Sequence, residues 1–227
     1  MVRLGFTVRF CSILAALALL ATCQQSLAIN IDFAAVSGGQ VQFVGSGDTF
    51  SFLPSSGNQF TITGSDGAGD SVGLFGNMSG TFTIGAITTV GLLQTASVSG
   101  SGQLTISDGL GYDLTGTLVW DSISTFGSGG VINVNGSLNL SSLTYSGSSA
   151  DLIALAAPQV GSEVISFQFV PGKTLVQLTT DGRVYSTSFS GSVNAESAPT
   201  LVPDAGWSLS LFGLSLTGLW FFRRKTA

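Results

Sequence analysis

The sequence predicts an all-β fold, a single antiparallel β-sandwich or jelly-roll-like ectodomain, with one C-terminal transmembrane helix after it. Three observations predict it. Apolar and hydroxyl residues alternate with period 2 through the middle of the chain, Gly-containing turn dipeptides interrupt that alternation, and one uncharged run near the C-terminus is closed by three cations. No stretch of the middle region sustains an apolar repeat of 3.6 residues.

The alternation is explicit in six places. Thr49-Phe50-Ser51-Phe52, Gln59-Phe60-Thr61-Ile62-Thr63 and Gly80-Thr81-Phe82-Thr83-Ile84 place aliphatic or aromatic groups on one face and hydroxyls on the other. Leu104-Thr105-Ile106-Ser107 and Val164-Ile165-Ser166-Phe167-Gln168-Phe169 repeat the pattern, and Leu175-Val176-Gln177-Leu178 reads the same way. Pro171-Gly172 and Asp181-Gly182 then divide residues 163–190 into an expected three-stranded meander, with Asp181-Gly182 as a type I′ hairpin turn. Asp66-Gly67 and Asp108-Gly109 mark further turns, and residues 150–157 (ADLIALAA) form the best helical candidate while fitting a strand equally well. Spacing of this kind gives about 12 to 14 short strands. Eleven of the 16 Phe lie here, aromatic bulk enough for a core in a chain of 227 residues.

The ends read differently. Arg3 and Arg9 precede an apolar run over residues 11–21 and a polar stretch ending Ser26-Leu27-Ala28, the order of a secretory signal peptide cut after Ala28. Cys23 offers a second reading, a lipoprotein attachment site. Residues 29–193 then form the β-rich extracytoplasmic domain, and residues 194–201, polar and containing Pro199, a linker. Trp207 opens an uncharged run that ends at Phe222 and is followed by Arg223, Arg224 and Lys225. Sixteen residues rise ~24 Å as a helix, short of the ~30 Å hydrocarbon core, so interfacial Trp207 and Trp220 would help it span. The basic triplet would stay cytoplasmic and act as the stop.

Val202-Pro203-Asp204-Ala205-Gly206, the apolar run and the terminal basic cluster occur in an order that resembles the PEP-CTERM class of bacterial sorting signals. The variant it is most similar to is the VPDSG-CTERM type, with Ala205 where that pattern has Ser. The resemblance is confined to residues 202–227. It implies an exosortase-like processing enzyme as partner, with Val202, Pro203 and Asp204 as recognition residues. A plain C-terminal anchor is the alternative.

Composition limits the chemistry of the middle. There is no His, and Cys11 and Cys23 both precede the expected cut, so His- and Cys-based nucleophilic or zinc chemistry is absent from the mature chain. Between residues 29 and 201 only Lys173 and Arg183 oppose eleven acids, a net charge of −9 that repels nucleic acid and anionic lipid. Asp66, Asp70, Asp108 and Asp113 sit in Gly-rich turns (SDGAGDS, SDGLGYD) and are weak calcium candidates, since neither segment has EF-hand spacing. Tyr112, Trp120 and Tyr145 are candidate sugar-stacking rings, with core packing the competing reading.

These readings give an exported, non-enzymatic protein with no cofactor. It would be held at the inner membrane by its C-terminal helix, then delivered to the cell envelope or extracellular matrix in a structural or interaction role. A carbohydrate-binding or adhesive module, with extracellular polysaccharide as its partner, is the alternative. An exported glycosidase acting through two of the eleven carboxylates is a minority third reading, since no local motif selects a pair.

Overall fold

A computed structural model describes residues 29–54, 57–127 and 132–195. The described residues are predominantly antiparallel β, as the alternation predicts. β1 (Ile29–Ala35), β2 (Gln40–Val44), β3 (Thr49–Leu53), β4 (Phe60–Ser65) and β5 (Phe75–Ile84) come first. β6 (Thr88–Val90), β7 (Leu93–Ser99), β8 (Ser101–Ser107), β9 (Asp113–Phe126) and β10 (Ile132–Thr144) follow. Helix α1 (Ala150–Ala156) precedes β11 (Val160–Phe167), and helix α2 (Leu175–Leu178) precedes β12 (Val184–Thr187) and β13 (Phe189–Ala195).

The strands close on themselves. Following the hydrogen-bonded neighbours gives β5–β4–β1–β13–β11–β10–β9–β8 and back to β5, an eight-stranded circuit. The expected sandwich or jelly roll therefore gives way to a barrel, closed by the stagger that tilted strands produce. The reason lies in the long strands. β7 and β8 keep one register against β5, from Phe75↔Ser107 through Ile84↔Val98, with only Gly100 (φ +116°) between them. Residues 93–107 thereby bridge β5 and β9, with a one-residue register shift against β9 between Ser97↔Ser122 and Ser101↔Val119, and β5 stays joined to β9 around the circuit.

Alternation decides what faces inward. Ile31, Ile62, Met78, Leu104, Ile106, Leu114 and Leu118 fill the interior, while Ser101, Asn139 and Ser162 lie exposed outside. This is the reverse of a membrane-spanning barrel, whose apolar side faces lipid. The two ends of the barrel differ. At one, Ile29 pairs with Ala195, and α1 seats Leu152 and Leu155 in the opening. At the other, β12, β2 and β3 extend from the second half of β5 as a flap. Its Phe43, Phe50, Phe52 and Phe82 meet Trp120, Phe167 and Phe189 from the barrel, with Phe50 and Trp120 ring centroids 4.8 Å apart. Trp120 lies so close over Gly136 that a Cβ there would overlap the indole.

Two local expectations are corrected. Leu175–Leu178 is a helical turn and not a strand, because Thr174 and Gln177 form a capping box that satisfies the first N–H groups. The meander over 163–190 is therefore not formed, and Asp181-Gly182 links α2 to β12 instead of closing a hairpin. β12 joins the flap through β2 and β13 joins the barrel, so the chain changes partners at Ser188. β13 also runs through Ala195, two residues into the expected linker. Among the described residues no helix is long and apolar enough to cross a membrane. The expected signal peptide, its cut at Ala28, the sorting motif 202–206, the helix 207–222 and the basic residues 223–225 all lie outside the described residues.

Candidate functional site

Polar chemistry gathers at the end of the barrel where Ile29 and Ala195 pair. The 66–74 loop, the 108–112 turn and α1 meet there. They bring three of the four calcium candidates, Asp66, Asp70 and Asp108, into one region with Asp151.

Each carboxylate is occupied by N–H or O–H donors. Asp70 accepts the N–H groups of Ala150 (2.6 Å) and Asp151 (3.1 Å) and the hydroxyl of Ser149 (2.9 Å), covering the first turn of α1. Asp151 returns the contact. Its Oδ1 accepts from Ala68 N–H at 2.5 Å, and its Oδ2 accepts from the Gly69 N–H (3.0 Å) and the Ser71 N–H and hydroxyl (3.2 and 2.7 Å). Asp108 accepts from Leu110 and Tyr112 N–H at 2.7 and 3.0 Å, and from the Tyr145 hydroxyl at 2.9 Å. The Tyr145 oxygen accepts the Ser149 N–H at 3.1 Å and so ties the Asp108 turn to the helix cap. Asp66 accepts the Asn30 N–H at 2.8 Å and anchors the start of β1. Asp113 stands apart, exposed at the start of β9 opposite Ser107.

The electrostatics follow. Desolvation pulls the carboxyls of Asp70, Asp108 and Asp151 upward, but the hydrogen bonds outweigh it and hold all three below the ordinary carboxylate value. Acids held this way stay ionised as acceptors, the opposite of what a general acid requires. Clefts of about 360 and 350 Å³ flank α1, the first lined by Ile29, Asp66 and Asp151, the second by Tyr145, Ile153 and Gln159. Among the described residues no group of three or more Asp, Glu, His or Cys side chains is arranged to hold a metal ion.

Of the three candidate sugar-stacking rings, Trp120 is buried among phenylalanines and the Tyr145 hydroxyl is engaged with Asp108, while Tyr112 is exposed. The sequence reading passes over Glu163, which faces inward on β11 between Leu138 of β10 and Val193 of β13. Among the described residues neither of its carboxyl oxygens has a hydrogen-bond partner, and burial pushes its pKa up to about 8. A charged residue at an inward position of strand β11 (VGSEVISF) is the sequence signal for it.

No family model, no curated protein and no solved structure matches this chain.

Proposed function

We propose that this is an exported bacterial surface or matrix protein, sorted and processed through residues 202–227 by an exosortase-like enzyme, with the barrel as a structural or interaction domain. The observation that carries the reading is the three-part tail: Val202-Pro203-Asp204, an uncharged 16-residue run, and Arg223-Arg224-Lys225. In this reading residues 207–222 span the membrane, and residues 196–201 separate the last strand from the motif. A stop-transfer helix depends on apolarity and flanking charge, whereas an enzyme reads shape and side chains at the motif. Pro203 fixes its own φ and biases Val202 toward an extended backbone, the form a protease-like groove accepts.

The test separates a sorting signal from an anchor. In an exosortase-bearing host, Pro203→Ala with Asp204→Asn is expected to insert normally but accumulate as the longer membrane-bound form, while the wild type loses residues 207–227. Equal processing of both, or of neither, would leave a plain tail anchor.

The alternative reading, a carbohydrate-binding or adhesive module, draws on the outward rows of hydroxyl and amide side chains, such as Ser101, Asn139 and Ser162. Retention of the secreted protein on extracellular polysaccharide would favour it.

A further inference from the structure

Glu163 lies one layer beneath the helix that closes the barrel. On β11 it is registered with Leu138 of β10 and Val193 of β13, and Val193 in turn with Ile31 of β1, so its own level is apolar. The next inward positions toward α1 are Gly161, Leu140, Ala195 and Ile29, with Gly161 pairing Leu140 and Ile29 pairing Ala195. Gly161 and Ala195 lie side by side: a Cβ on Gly161 would meet the Asn194 carbonyl oxygen at 2.8 Å and the Ala195 Cα at 3.7 Å. Only these two small residues stand over Glu163 on its own strand and on β13. Leu152 and Leu155 of α1, both fully buried, form the cover, and α1 rests on β1, β10 and β13.

The routes by which water can reach Glu163 differ in strength. Toward the flap stand Ile165 and then Phe167, whose ring centroid is 5.5 Å from Phe43, 6.0 Å from Trp120 and 6.2 Å from Phe50. Sideways, β11 is laced to β10 by eight registered pairs and to β13 by six. Toward α1 stands a helix of seven residues, fastened by the mutual hydrogen bonds of Asp70 and Asp151. Of the three, the short helix with a polar fastening opens at the lowest free energy.

The charges around Glu163 leave it to act alone near neutrality. The chain has no His. On α1, β1, β10, β11 and β13 the charged residues are Asp151, Asp32 and Glu163 itself. Asp32 is exposed on the outer face, and the Asp151 carboxylate is turned to Ala68, Gly69 and Ser71. At the foot of α1, desolvation and the bond to Asp108 hold the Tyr145 hydroxyl above its ordinary pKa, while hydrogen bonds hold Asp70, Asp108 and Asp151 below theirs. These four keep one charge state from pH 5 to 8. A carboxyl at this depth with no partner among the described residues ionises only when water reaches it, and burial accordingly raises its pKa to about 8.

We propose that α1 is a lid over Glu163, and that release of the Glu163 proton is coupled to local opening of this helix while the barrel strands stay paired. Opening admits water to the carboxylate and uncovers Leu152, Leu155 and the rim residues Ile29 and Leu140. The open form holds the proton less tightly than the closed one. Opening therefore grows as pH rises from the ordinary carboxylate value to about 8, and levels off above.

Native-state hydrogen exchange on the full chain in mild detergent tests this, with rates corrected for the intrinsic pH dependence of amide exchange. Protection over Ile153–Ala157 is expected to fall by about tenfold per pH unit between pH 5 and 7.5, with little dependence on urea. Amides of β11 and β13 are expected to exchange more slowly, through an opening with the full urea dependence of unfolding. Glu163→Gln and Glu163→Met, each checked for an unchanged β circular dichroism spectrum, are both expected to abolish the pH slope of α1. Protection of α1 that is flat with pH in the wild type would mean that the helix opens without exposing Glu163. Exchange of α1 with the urea dependence of the strands would mean that it does not open separately, and a slope surviving both substitutions would assign the proton to another group. Each of these three results overturns the proposal.

Discussion

Asp70 and Asp151 cap each other's backbone. The Asp70 carboxylate receives the Asp151 N–H at 3.1 Å, and the Asp151 carboxylate receives the N–H groups of Ala68, Gly69 and Ser71 from the loop that carries Asp70. Neither loop nor helix holds its shape alone: α1 has seven residues, too few to persist in water without support.

The clasp should behave as one unit. Asp151 is buried with several charge-assisted hydrogen bonds, so Asp151→Ala is expected to cost about 3 kcal/mol in urea unfolding. Asp70→Asn should cost less, since Asp70 is exposed. The double variant should lose clearly less than the sum of the two, the mark of partners in one network. Additive losses would show that the two capping contacts are independent.

Acid should weaken the same region. With Asp70, Asp108 and Asp151 held below their unfolded values, their contribution is fully present above the ordinary carboxylate pKa and is lost as pH falls through the lowered folded values. The urea midpoint should therefore drop steadily below about pH 4. Asp108→Asn with Asp151→Asn should flatten that drop.

Glu163 acts with the opposite sign. Its folded pKa of about 8 lies above the unfolded value, so the folded state holds a proton that the unfolded state has released. Stability should fall as pH rises from about 4.5 to 8, at up to about 1.4 kcal/mol per pH unit, and level off above. Glu163→Gln should remove that slope. Glu163→Met should do so too and raise stability at pH 8, because it removes a buried group that has no hydrogen-bond partner among the described residues. A wild-type curve flat between pH 5 and 8 would mean that Glu163 is solvated.

Gly136→Ala tests the aromatic plug. The added methyl has to displace the Trp120 ring, so a loss of about 1–3 kcal/mol is expected. In a background with Trp207 and Trp220 changed to Phe, Trp120 emission should shift to the red. An unshifted spectrum at full stability would mean the plug repacks freely.

Much of the strand content is legible in the sequence, because period 2 is a local property. Phe50 and Phe52, Phe60 and Ile62, and Ile165 and Phe167 all face the core as their alternation requires. Closure into a barrel is not legible, since it depends on β5 pairing with both β4 and β8, a matter of register between distant segments. At Leu175–Leu178 a four-residue alternation fits a strand and a helical turn equally well, and the Thr174–Gln177 capping box decides for the helix. That Thr-x-x-Gln signature is the available signal. The turn acids are legible as turn residues because Asp and Gly suit turn backbones. Their actual partners are not, since Asp70 reaches a backbone 81 residues further along the chain.

The pairing of Ile29 with Ala195 has a mechanical consequence. β13 lies between β1 and β11, with six registered residue pairs on each side. A pull on Ala195 directed out of the barrel runs along the strand, while the inter-strand hydrogen bonds lie across it. Such a load shears both ladders at once, so the bonds share the force and cannot open one after another as in peeling. A load applied at Ala195 along β13 is thus carried by both six-pair ladders together.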